Sequence, residues 1–219
     1  MPLAECPALG VLARDPHGRP LGEQRCEREP LRVRPVDRRG IAVQRLCAAT
    51  LRMTEGELLA FERLGAIDLS VEEYFEIVER KTAHLFAAAC SIPSLIPPHR
   101  PEAGQVLHRY GRALGVCFQL VDDLLDFTAR EAELGKPVLS DLKEGKLTLP
   151  LILLLPRVDA GKRRLVEMVL EDRGFGRVTP EEILELVRAQ GTIEEVSALA
   201  ETYAVKAKEE LVAFPWSDA

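Results

Sequence analysis

Residues 114–127 read LGVCFQLVDDLLDF. Leu114, Val116, Cys117, Phe118, Leu120, Val121, Leu124, Leu125 and Phe127 point in nearly every direction around a helical axis, the pattern of a helix buried on most of its surface. Three aspartates interrupt it. Asp122 and Asp126 are one turn apart on one face and Asp123 lies about 100° further round the axis, so the three make one acidic patch. An ionised carboxylate in low-dielectric surroundings is costly unless it is paired or binds a metal, and like charges this close repel. Carboxylates at one helical turn suit a hard cation such as Mg²⁺, which keeps several waters and is usually completed by substrate phosphate oxygens. The plain alternative is a solvated acidic face, or aspartates paired with arginines of a neighbouring helix. For a lone DDxxD the two readings stand level; the apolar surroundings favour the metal.

Downstream, residues 135–150 read GKPVLSDLKEGKLTLP, with Lys136 and Lys146 each directly after a glycine. Lysine is a compact point charge suited to phosphate, although taken by itself the stretch reads more simply as an ordinary charged surface loop. Upstream, Tyr74, Ile77, Val78, Lys81, Leu85 and Phe86 share one broad helical face, so Lys81 stands where an apolar residue is expected. Its alternative is a snorkelling lysine whose stem packs while its head reaches water.

The rest of the chain is helical in pattern. A helix is predicted over about 41–61, and a second from Ser70, where Glu73 completes a capping box, to Pro93. A third runs from Pro101 to Phe127, a fourth over 147–155, and Thr179-Pro180-Glu181-Glu182 starts another; Gly191 separates it from a last helix ending near Phe214. Nothing alternates with period 2 for long enough to make a sheet, so the fold class is all-α. Residues 1–40 differ: they hold six of the fifteen prolines, eight arginines and no lysine, without helical or strand period. The expected organisation is an irregular or disordered segment 1–40 and a helical domain 41–219.

At 219 residues, 47% hydrophobic and 29% charged, the chain can bury one sizeable core. A formal charge of −6 gives no basic footprint for nucleic acid or an anionic membrane. The apolar run Leu147–Leu155 is far shorter than the roughly 20 residues that span a bilayer, and the N-terminus lacks the pattern of a signal peptide. The five cysteines show no CxxC spacing, which suits a reducing, cytoplasmic setting.

Residues 115–126, followed by Gly135-Lys136, Asp141-Leu142 and Gly145-Lys146-Leu147-Thr148-Leu149-Pro150, resemble the second aspartate-rich motif and its flank in the trans-isoprenyl (polyprenyl) diphosphate synthases. Arg80-Lys81-Thr82-Ala83 looks like the family's KT motif, and Met53-Thr54-Glu55-Gly56-Glu57 like the segment preceding it. The resemblance extends from about 41 to 214. It implies an isoprenoid-synthase-type helical bundle and a Mg²⁺-dependent condensation in which an allylic diphosphate ionises and isopentenyl diphosphate attacks the carbocation. In that scheme Asp122 and Asp126 hold the metal, and Asp123 contributes through water or a neighbouring lysine. Lys81, Lys136 and Lys146 neutralise the diphosphate, while Thr82 and Gln119 stabilise the developing cation.

The family's first aspartate-rich motif has no counterpart, since Asp122-Asp123 is the only Asp-Asp pair. The expected bundle is therefore truncated at its N-terminal side and self-associates, as a homodimer or with a complete synthase. Two further readings stay open: a noncatalytic partner subunit of such a synthase, and a relative of the class I terpene cyclases.

Overall fold

The computed structural model describes residues 38–95, 101–128 and 138–212, and among them every regular element is helical. The expectation for residues 1–40 falls, up to residue 37, outside the described residues, as does Lys136. Helix α1 (Arg38–Glu62) begins three residues ahead of the predicted start. Helix α2 (Val71–Val78) carries the predicted capping box, with Ser70 accepting from the Glu73 N–H and Glu73 returning the bond to Ser70. It passes through a π-helical turn at Glu79–Ala83 into α3 (His84–Ser91), which a 3₁₀ turn containing Pro93 closes.

Helix α4 (Pro101–Thr128) is the long strut of the fold. It lies against α3 on one side and against the last helix, α9 (Thr192–Leu211), on the other. Between them come α5 (Ser140–Lys143), α6 (Leu149–Leu154), α7 (Ala160–Asp172) and α8 (Pro180–Ala189). The run Leu147–Leu155 is core, as its composition implies: Leu149, Leu151, Ile152, Leu154 and Leu155 are all buried. Pro150 sits in the first turn of α6, where its missing N–H is harmless. Helix α7 has no counterpart among the predicted elements; it starts from an Asp159 cap and buries Val166, Val169 and Leu170.

Two glycines set the spacing of α1, α3 and α4. A Cβ on Gly56 would overlap the backbone of Lys81, and one on Gly115 would lie 2.7 Å from the Ala83 Cα, so both helices meet the π-helical segment backbone to backbone. This close approach puts Lys81 and Thr82 between the end of α1 and the middle of α4.

Candidate diphosphate and metal site

A cavity of about 140 Å³ opens between α1, α2, α4 and the loop that follows α5, lined in part by Lys81, Gln119, Asp122, Asp123, Asp141 and Lys146. Lys81 and Asp122, intrusions on separate helices, thus line one cavity, whereas Asp126 does not line it. A larger cavity, about 850 Å³, lies between α1, α3 and the start of α4 and is lined by Arg45, Arg52, Arg109, His84 and His108. It holds none of the aspartates, and its size says nothing about the chemistry.

The three aspartates of α4 have different surroundings. Asp123 is 3% exposed, and each of its oxygens accepts a hydrogen bond: Oδ2 from the Tyr74 hydroxyl at 2.7 Å, Oδ1 from Gln119 Nε2 at 3.0 Å. Tyr74 of α2 and Gln119, one turn back on α4, thus hold both oxygens of this carboxylate. Burial pushes the Asp123 carboxyl up to about 6, against the pull of the Gln119 and Tyr74 hydrogen bonds. The Tyr74 hydroxyl is itself raised well above its ordinary value, by burial and then by the Asp123 charge.

Asp126 faces the loop rather than the cavity. Its carboxylate accepts from the backbone N–H groups of Ser140 at 2.9 Å and Asp141 at 3.2 Å. Burial, then the charge of Asp141, raises it to about 6. Asp122 is exposed and receives one hydrogen bond, from Gln119 Nε2 at 3.2 Å. Of the three it has the oxygens most open to a cation.

The cations are engaged with carboxylates. Lys146 Nζ lies 3.1 Å from Asp141 and 2.7 Å from Glu144, and Lys81 Nζ lies 3.3 Å from Glu57. Burial lowers the Lys146 pKa, but its hydrogen bond to Glu144 and the charge of Asp141 outweigh this and raise it. The Thr82 hydroxyl donates to Gln119 Oε1 at 2.9 Å, so the two oxygens expected to face a developing cation also face each other.

Three lining residues had not been singled out. Asp141 adds a third carboxylate to the lining, and Arg63, directly after α1, adds a guanidinium whose Nε is buried without a partner. Tyr74 had been placed only as part of an apolar face. Its spacing of seven residues from Lys81, two helical turns, was the available signal.

Among the described residues no three His, Cys, Asp or Glu side chains form a cage that would hold a metal alone. The donors present still fit Mg²⁺, a hard cation that binds through one or two carboxylates plus waters and phosphate oxygens. Clustered carboxylates favour the cation, and Lys81 and Lys146 at the rim favour the anion that comes with it.

Fold and site together define an all-α protein that sets lysines opposite a carboxylate cluster. A sequence model described as polyprenyl synthetase matches residues 36–187, and the chain belongs to that family. It is 37% identical to the octaprenyl diphosphate synthase of Escherichia coli over 170 residues, 76% of this chain and 52% of that protein. It is 38% identical to the geranylgeranyl diphosphate synthase of Sulfolobus acidocaldarius over 132 residues, 60% of this chain and 39% of that one. The polyprenyl synthase of Caulobacter crescentus CB15, solved with calcium and isoprenyl diphosphate, superposes with a TM-score of 0.76 at 35% identity, covering 81% of this chain and 54% of that one. The chain spans about half the length of the curated relatives it matches.

Proposed function

We propose that this chain provides the metal-and-diphosphate side of a prenyltransferase site that joins isopentenyl diphosphate to an allylic diphosphate. The observation that carries this reading is the convergence of Asp122, Asp123 and Asp141 with Lys81 and Lys146 on one cavity. In the reaction the allylic C–O bond breaks and its electron pair leaves with the diphosphate. The double bond of isopentenyl diphosphate attacks the carbocation, and loss of a proton restores the alkene. Lys81 and Lys146 stabilise the departing diphosphate, an electrostatic role that is strongest where water is excluded. We assign Lys136 to the same anion on sequence grounds. Gln119 and Thr82 hold oxygen dipoles beside the site. Asp122, backed by Asp123 and Asp126, would hold Mg²⁺, which would supply Lewis-acid polarisation of the diphosphate.

A second reading, a noncatalytic subunit that docks on a complete synthase, draws support from the exposed apolar side chains Val43, Leu46, Leu51, Leu58 and Phe61 along α1. Self-association as a homodimer would cover the same face. The family match favours either reading over a terpene cyclase. No helix among the described residues is long and apolar enough to cross a membrane. The free thiols of Cys47, Cys90 and Cys117 suit the cytoplasm.

Incubating the purified chain with Mg²⁺, isopentenyl diphosphate and a series of allylic diphosphates tests the proposal. Elongated product establishes the transferase. Magnesium-dependent pyrophosphate binding without product favours the subunit, and the absence of both product and magnesium-dependent binding overturns the site.

A further inference from the structure

The bonds around Gln119 leave one orientation for its amide. Nε2 faces the carboxylates of Asp122 and Asp123, and Oε1 faces the Thr82 hydroxyl. Turning the amide over would set its oxygen against two carboxylates, acceptor against acceptor. Asp123 is held in turn by Tyr74, 49 residues away in sequence and on a different helix. The Tyr74 residue is 5% exposed, its ring lies edge-on to Phe75 at 5.3 Å, and Phe75 stacks at 6.3 Å on Tyr203 of α9. The ring is therefore fixed by packing, and its hydroxyl is delivered to the carboxylate cluster from outside α4. Phenylalanine would serve the packing equally well; only the O–H needs Asp123.

We propose that Tyr74 is a positioning residue of the metal site: its O–H fixes Asp123, Asp123 fixes the Gln119 amide, and the amide holds Asp122, the carboxylate open to the cation. The inference rests on the reading of this cavity as a Mg²⁺–diphosphate site. Hydrogen-bond partners standing behind metal ligands orient them, and their removal typically weakens metal binding by about 10- to 100-fold.

Calorimetry of inorganic pyrophosphate binding by the full chain, at a series of Mg²⁺ concentrations, tests this in the wild type, Tyr74→Phe, Asp123→Asn and the double variant. In Tyr74→Phe the apparent Mg²⁺ affinity is expected to fall about tenfold, while pyrophosphate binding without Mg²⁺ stays unchanged. The double variant should lose no more than Asp123→Asn alone, because Tyr74 acts only through Asp123. A Tyr74→Phe protein with wild-type Mg²⁺ dependence, or losses that add in the double variant, overturns the proposal. Wild-type Mg²⁺ affinity in Asp123→Asn overturns it too, whether or not Tyr74→Phe folds. Failure of the underlying site reading shows separately, as wild-type protein whose pyrophosphate binding ignores Mg²⁺.

Discussion

Asp126 Oδ1 accepts the backbone N–H of Ser140 at 2.9 Å, and its other oxygen takes that of Asp141, so one side chain of α4 fastens the start of α5. The residue before this clamp, Leu139, is fully buried in a left-handed conformation (φ 58°), and its N–H donates to the Asp126 carbonyl at 2.9 Å. A strained non-glycine residue of this kind costs on the order of 1–3 kcal/mol and persists only where its surroundings hold it. Here the Asp126 carboxylate supplies the hold, and the turn it stabilises leads into Asp141 and Lys146. Asp126→Asn keeps one acceptor oxygen but sets an NH₂ donor against the second backbone N–H, so it is expected to retain half of the clamp. Asp126→Ala should be less stable than Asp126→Asn by about 1–3 kcal/mol in urea denaturation at pH 7, and should bind pyrophosphate more weakly. Equal midpoints for the two variants would mean that the loop is anchored elsewhere.

Gly56→Ala tests the contact that places Lys81. The added methyl meets the backbone of Arg80 and Lys81 rather than a flexible side-chain tip, so α1 and the π-helical turn must move apart. A destabilisation of about 1–3 kcal/mol is expected from such overpacking, together with weaker pyrophosphate binding as Lys81 shifts. A variant with unchanged thermal midpoint and unchanged binding would show that the helices separate without cost.

The fold was legible where local chemistry decides it. Ser70 with Glu73, and Thr179 with Glu182, announce two helix starts, and both capping boxes are present. Asp159 is a start signal of the same kind, but the helix it opens buries only Val166, Val169 and Leu170 beneath a charged surface, so its apolar period is faint. The π-helical turn at Glu79–Ala83 could not be read, because an extra residue in one helical turn leaves composition and spacing almost unchanged. Within the site, Lys81 and Asp122 stood out as charges on apolar faces. Tyr74 did not, since a tyrosine on such a face looks like core, and its bond to Asp123 joins residues 49 apart in sequence, which only the folded chain brings together. Leu139 was equally hidden: leucine carries no sequence signal for a left-handed turn.

Stability of the metal-free protein should fall as pH rises through the weakly acidic range. Asp123 and Asp126 are both raised to about 6, chiefly by burial, whereas an unfolded aspartate titrates near about 3.9. Between these values the native state binds more protons than the unfolded one. Their contribution is thus fully present below pH ~4 and lost as pH passes about 6. Asp123→Asn should flatten this slope in urea titrations across the window, a comparison that cancels the titration of other groups. Because Mg²⁺ requires the ionised forms, magnesium-dependent pyrophosphate binding should run the opposite way and weaken below pH 6. A variant that keeps the wild-type slope would take Asp123 out of the account.

Asp122 should show opposite effects on binding and on stability. It is exposed, it receives a single hydrogen bond at 3.2 Å, and it adds negative charge beside Asp123 and Asp141, so the metal-free fold gains little from it. A hard cation gains a great deal, because Asp123 already has a hydrogen bond on each oxygen and Asp126 is occupied by the backbone of the loop. Asp122→Asn keeps the shape and an acceptor oxygen while removing the charge. It is expected to leave the urea midpoint unchanged or slightly raised, since like-charge repulsion is relieved, and to weaken the magnesium-dependent part of pyrophosphate binding by at least about tenfold. Pyrophosphate binding measured without Mg²⁺ should instead be equal or stronger, because one negative charge near the anion is gone. Calorimetry with and without Mg²⁺ reads both components in one preparation. If the variant loses binding equally in both conditions, Asp122 shapes the cavity instead of holding the cation; if it loses neither, the cation sits on Asp123 or Asp141.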